Sequence, residues 1–182
     1  MLAVTACGGN DGASPGGGEK LVTPEAWMAS FCAAGVDWLG DLEGNAAALE
    51  TRTADARGLD QVRRELVRYF ARAAALTDET VARIERAGTP EIDDRERLVA
   101  DFTGLVEDTG GLFTDAGDEV RALEIRDRAE FQARVSEIAE RLEERAATVV
   151  AEFTELAKRY DTPELDRAFS ENEDCAQFSG AP

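Results

Sequence analysis

After residue 22, apolar residues recur at steps of three and four along nearly the whole chain, the spacing of one face of an α-helix. The first stripe reads Trp27, Phe31, Ala34, Trp38, Leu42, Ala46 and Leu49. Thr23, Pro24 and Glu25 stand just before it, suited to an N-cap, a first helical residue and the positive end of the helix dipole. Residues 51–58 interrupt the pattern. A second stripe follows, Leu59, Val62, Leu66, Tyr69, Ala73, Leu76, Thr80 and Ile84, and Gly88-Thr89-Pro90 ends it as a glycine C-cap with proline beyond. The third is Leu98, Phe102, Leu105, Thr109, Leu112, Ala116, Val120 and Leu123. The fourth runs Phe131, Val135, Ile138, Leu142, Ala146, Val149, Phe153, Leu156 and Tyr160. Asp161-Thr162-Pro163 closes that helix, and residues 164–169 suit a short further turn.

Four stripes of similar length with short connections predict an all-α fold, an up-down-up-down four-helix bundle with a short C-terminal helix. Helices of about 28–33 residues would each be roughly 40–50 Å long. In this arrangement the start of the first helix and the end of the fourth share one end of the bundle. Cys32 sits two turns into the first helix and Cys175 lies beyond the fourth, so an even helix number lets the two meet. A Cys32–Cys175 disulfide and two unpaired buried thiols are the alternatives. Cysteine pairs persist as disulfides in oxidising compartments, and an exported chain favours the bond.

Export is suggested by the N-terminus. Val4-Thr5-Ala6-Cys7, followed by Gly8 and Gly9, resembles a bacterial lipobox, in which the cysteine is lipidated and becomes the first residue of the mature chain. Met1-Leu2-Ala3 lacks the basic and apolar regions of a secretory signal. Either the signal extends upstream of Met1, or Cys7 is a thiol near the terminus without lipid. Residues 8–18, rich in glycine with Ser, Pro, Asn and Asp, behave as a flexible spacer and favour the first reading. The expected organisation is a signal remnant over 1–6, a lipidated Cys7 and tether over 7–22, and a helical domain over 23–182.

Phe31-Cys32 in an opening aromatic helix, the Gly88-Thr89-Pro90 turn, and Pro163-Glu164-Leu165 with Ala168, Phe169 and Cys175 resemble small actinobacterial helical lipoproteins of unassigned function. The resemblance implies a disulfide-clasped bundle at the outer face of the cytoplasmic membrane, with the bilayer as partner through the Cys7 lipid. It implies no activity and no site residues.

Charge narrows the partners. The formal net charge is −18, from 20 Lys and Arg against 38 Asp and Glu. Such a surface repels nucleic acid and anionic headgroups, so no nucleic acid is expected as a partner. The chain contains no histidine, which excludes Ser-His-Asp triads, His-ligated zinc and the usual di-iron carboxylate sites. Acidic runs such as Glu91, Asp93, Asp94 and Asp115, Asp118, Glu119 lack calcium-loop spacing and read as solvated helix faces. No metal, cofactor or catalytic residue is expected.

Three functions remain. The first is a non-enzymatic interaction module for an envelope protein, recognising it through the loops 51–58 and 124–128 at the end away from the cysteines. The second is a carrier of a small apolar ligand, in a pocket lined by Trp27, Phe31, Trp38, Phe102 and Phe113 beside the third helix. Plain core packing explains the same aromatic stripe. Gly104, Gly110, Gly111 and Gly117 on that helix suit a kink with a cavity, or close approach to small residues such as Gly35, Gly40 and Gly44 on the first. The third, weakest function is an envelope enzyme working through carboxylates alone.

Overall fold

The structure, a computed structural model, describes residues 20–178. The expected signal remnant, Cys7 and most of the tether lie outside these residues. Four long helices, α1 (Pro24–Ala54), α2 (Leu59–Ala87), α3 (Arg95–Ala122) and α4 (Arg128–Arg159), are followed by the short α5 (Pro163–Ser170) and α6 (Glu173–Ala176). Thr23 caps α1, its hydroxyl accepting from the Ala26 amide, and Pro24 opens the helix. Asp127, Thr162 and Asn172 cap α4, α5 and α6 in the same way. Each cap satisfies an amide that the helix itself leaves unpaired.

Cross-helix contacts fix the antiparallel order. From α1 to α2 they run Asp37 to Arg83, Trp38 to Thr77, Asn45 to Tyr69 and Arg52 to Glu65. As one number rises the other falls. From α2 to α3, Gly110 lies against Thr77, Gly117 against Phe70, and Arg63 donates to the Leu123 carbonyl at 2.9 Å. From α3 to α4, Asp101 meets Arg159 while Glu119 meets Arg141. The bundle is therefore up-down-up-down.

The core is divided. At one end Phe70, Ala116, Val120 and Ile138 form a cluster. At the other, a larger cluster gathers Trp27, Cys32, Leu98, Phe102, Tyr160, Leu165, Ala168 and Cys175. The level between them holds the buried Ala73, Thr77, Thr80 and Gly110. Thr77 and Thr80 satisfy their hydroxyls by donating to the Ala73 and Leu76 carbonyls, both at 2.9 Å.

The fourth stripe is less buried than its periodicity suggests. Only Phe131 and Ile138 are buried within α4, Ala146 is exposed, and Val150 is 64% exposed. The helix packs along α3, whereas its backbone approaches α1 only sparsely. Phe31 and Phe153 bridge the two, with ring centroids 6.1 Å apart. Between Leu42 and Leu49 the α1 stripe offers only Ala46, which is too short to draw the helices together there.

The cysteines are joined. Cys32 and Cys175 form a disulfide with Cα atoms 5.1 Å apart across a sequence separation of 143. Closing so long a loop stabilises by up to about 5 kcal/mol in the loop-entropy description. A second tie was not legible in the periodicity. Leu21–Val22 (β1) pairs in parallel with Thr89–Pro90 (β2), the Thr89 amide donating to Lys20 and the Glu91 amide to Val22, each at 2.9 Å. Gly88 is required in this tie: its φ is +94°, and an added Cβ would lie 2.3 Å from the Lys20 carbonyl oxygen.

Two glycines of α3, Gly110 and Gly117, meet α2 rather than Gly35, Gly40 or Gly44 of α1. An added Cβ at Gly117 would lie 3.1 Å from Phe70 Cβ and one at Gly110 would touch Thr77, whereas Gly104 and Gly111 face open space. Gly40 and Gly44 also face open space, and Gly35 is covered by the Phe178 ring. Gly111→Ala should therefore raise stability by about 0.5–1 kcal/mol in urea denaturation, the ordinary helix-interior gain. Gly117→Ala should lose that gain to the Phe70 contact. Equal gains at both positions would contradict the packing described.

Candidate functional site

The larger core cluster does not fill its end of the bundle. A cleft of about 330 Å³ remains there, open on one side. Trp27, Met28 and Phe31 reach it from α1, Leu98 and Phe102 from α3, Phe153 and Ala157 from α4, and Leu165 and Phe169 from α5. Tyr160, where α4 ends, completes the wall. Helical spacing aims these residues from each element at one point. α5 faces the opening because Thr162 and Pro163 start a new helix directly after α4, and Cys175 then binds the following segment to α1.

The rings support one another. Phe31 stacks between Trp27 and Phe153, at 5.1 and 6.1 Å, and Phe102 meets Phe31 and Phe153 edge-on at 5.4 and 5.1 Å. Stacked and edge-on pairs of this kind each contribute about 0.5–1.5 kcal/mol beyond area burial. They keep the aromatic wall in a fixed shape. The Trp27 indole N–H is buried and meets no acceptor among the described residues, an arrangement that costs about 1–3 kcal/mol.

Polar groups stand at the edge. Tyr160 donates its hydroxyl proton to Asp101 at 2.6 Å, and Arg159 holds the same carboxylate oxygen at 3.0 Å. Lys158 is paired with Glu155 at 2.8 Å. Asp161 and Asp166 also border the cleft, are exposed, and have no ion pair among the described residues. A second, shallower groove of about 570 Å³ runs between α3 and α4, bordered by Gly104, Leu105, Asp108, Glu152 and Leu156.

Of the sequence-derived pocket residues, the structure brings Trp27, Phe31 and Phe102 together in the cleft and leaves Trp38 and Phe113 outside it. Trp38 turns toward α2, because its indole N–H donates to the Thr77 hydroxyl at 3.2 Å. Phe113 packs against the cluster at the opposite end, three turns along α3 from Phe102. The cleft accordingly lies against the start of α3 rather than beside Gly110 and Gly117. Periodicity alone missed Met28, Leu98 and Leu165 as lining. Tyr160 and Phe169 line the cleft, and Phe178 packs against the same core cluster with its ring over Gly35.

The opposite end is built differently. Glu65 is buried between Arg52, at 2.8 Å, and Arg68, at 2.7 Å, which fixes the approach of α1 to α2 below the loop 55–58. In the loop 123–127, Glu124 and Arg126 are exposed and paired at 2.9 Å. Among the described residues, no three His, Cys, Asp or Glu side chains are gathered to hold a metal ion, and no helix is long and apolar enough to cross a membrane. The buried disulfide points to an oxidising environment. Comparison of the chain with protein-family models, curated proteins and solved structures returns no match.

Burial raises the Tyr160 ionisation above the ordinary tyrosine value, and its hydrogen bond to Asp101 adds to the shift. Burial alone raises Tyr69. A raised folded value means that the unfolded chain loses the proton first. Stability from both groups is complete below pH of about 10 and is lost as pH rises further. Because the chain has two tyrosines, tyrosinate absorbance should stay flat through the ordinary range and rise only at higher pH, together with loss of helicity. An ordinary titration step in the folded protein would contradict this burial.

Proposed function

We propose that this protein is a non-enzymatic binding module of the cell envelope, tethered through a lipid on Cys7, that takes up a small apolar ligand at the aromatic cleft. The observation that carries the reading is the cleft itself: rings from three helices, locked by mutual stacking, surround about 330 Å³ at the disulfide-bonded end. Ligand sites are characteristically concave, mostly apolar and largely formed in advance.

Recognition of an envelope protein through the distal loops is a second form of the same module. The exposed charged residues of the connections, Asp55, Arg57, Glu124, Arg126 and Asp127, favour it, since recognition is commonly carried by loops on a rigid scaffold. The cleft favours the small ligand, and we take that as the main reading. The β1–β2 tie and the disulfide lie at the end where the chain emerges from the tether. A chain anchored at Cys7 would then hold the cleft nearer the membrane surface and point the distal loops away from it.

The neutral fluorescent probe N-phenyl-1-naphthylamine should bind the soluble domain. Ala157→Trp, an exposed position bordering the cleft, should weaken binding at least tenfold at unchanged helicity, while Ala47→Trp on exposed α1 should have no effect. Equal affinity in the two variants would remove the cleft as the site. For the anchor, intact mass of protein from its own host should show a diacyl or triacyl increment on a chain beginning at Cys7. An unlipidated chain retaining Met1 would contradict the tether.

A further inference from the structure

We infer that the cleft selects an amphiphilic organic cation, with its apolar body among the rings and its positive end between Asp161 and Asp166. The inference rests on the cleft being a ligand site and adds the chemical class of what enters it.

The charge balance at the opening carries the argument. Lys158 is engaged with Glu155 at 2.8 Å, and Arg159 with Asp101 at 3.0 Å. The Asp101 carboxylate also receives the Tyr160 hydroxyl. Asp161 and Asp166 are left as exposed carboxylates on the cleft border, without an ion pair among the described residues. They stand where α4 gives way to α5, so the short Thr162-Pro163 junction holds both beside one opening. A ligand carboxylate, sulfate or phosphate placed there would meet two like charges, and the base that lines the cleft, Lys158, is already paired with Glu155.

Two further properties act in the same direction. Aromatic faces carry negative partial charge and attract cations, by about 0.5–1 kcal/mol at exposed sites and more where water is excluded. The chain's net charge of −18 also draws cations toward the surface at long range. The long-range attraction is unspecific, and salt screens it. The aromatic wall and the two carboxylates at its edge make the preference local.

The test uses the soluble domain carrying N-phenyl-1-naphthylamine and three displacing compounds with the same ten-carbon chain, kept below their aggregation concentrations at physiological salt. Decyltrimethylammonium should displace the probe at about tenfold lower concentration than 1-decanol, and decyl sulfate should require more than either. Asp161→Asn with Asp166→Asn should remove most of the advantage of the cation over decanol, read as the ratio of their displacing concentrations. Asp55→Asn with Glu124→Gln removes equal charge at the far end and should leave the advantage intact. Equal displacement by decanol and the cation would overturn the inference, as would equal losses in the two double variants, and both would leave the apolar site standing. Failure of the probe itself to bind would instead remove the cleft reading on which the inference rests.

Discussion

The bond between Cys32 and Cys175 is the constraint on which the rest of this molecule's chemistry depends. α5 and α6 are short, and helices of their length do not hold together in water unaided. They persist because one end of the segment continues from α4 and the other is fastened covalently to α1. The fastening presses Leu165 and Ala168 into the core and leaves Phe169 half-buried at the cleft. Without it, the end of the bundle would be an open mouth among four helix termini. With it, the mouth becomes a bounded cleft with aromatic walls.

The bundle body makes this end distinctive by contrast. Its middle is built from small and hydroxylated residues, with Thr77 and Thr80 bonded back to their own helix and Gly110 and Gly117 allowing α2 and α3 to come close. At the far end, the buried Glu65 is matched by two arginines and the remaining charges face water. Large rings and unfilled volume are concentrated at the disulfide-bonded end, where β1 and β2 also tie the emerging chain to the α2–α3 turn.

The helices were legible in the sequence because their apolar periodicity is regular and their ends carry strong signals. Thr23-Pro24 and Thr162-Pro163 start helices, and Gly88 ends one. The disulfide was legible because an even number of antiparallel helices returns the chain to its starting end. Trp38 was misplaced in the pocket because periodicity marks a face without saying which neighbour that face meets, and the Thr77 hydroxyl decides it. Phe113 was misplaced because sharing a stripe with Phe102 does not mean sharing a level along a long helix. The partial exposure of α4 was hidden for a related reason: its own stripe is regular, but the matching stretch of α1 has only Ala46 to offer. The glycines of α3 announced a close approach, and only the three-dimensional pairing shows that its partners are Phe70 and Thr77. The Asp161 and Asp166 pair was invisible among 38 acidic residues until the structure placed both on one opening.

The disulfide bounds the aromatic cleft as well as stabilising the fold. The most direct measurement is the affinity of the Cys32→Ala, Cys175→Ala double variant for a neutral apolar probe, with helicity followed by circular dichroism at a temperature where the four long helices remain folded. Near-native helicity is expected, with binding weakened at least tenfold, because α5 no longer bounds the cleft. Native affinity in the folded variant would contradict this and would reduce the disulfide to a stabilising link alone.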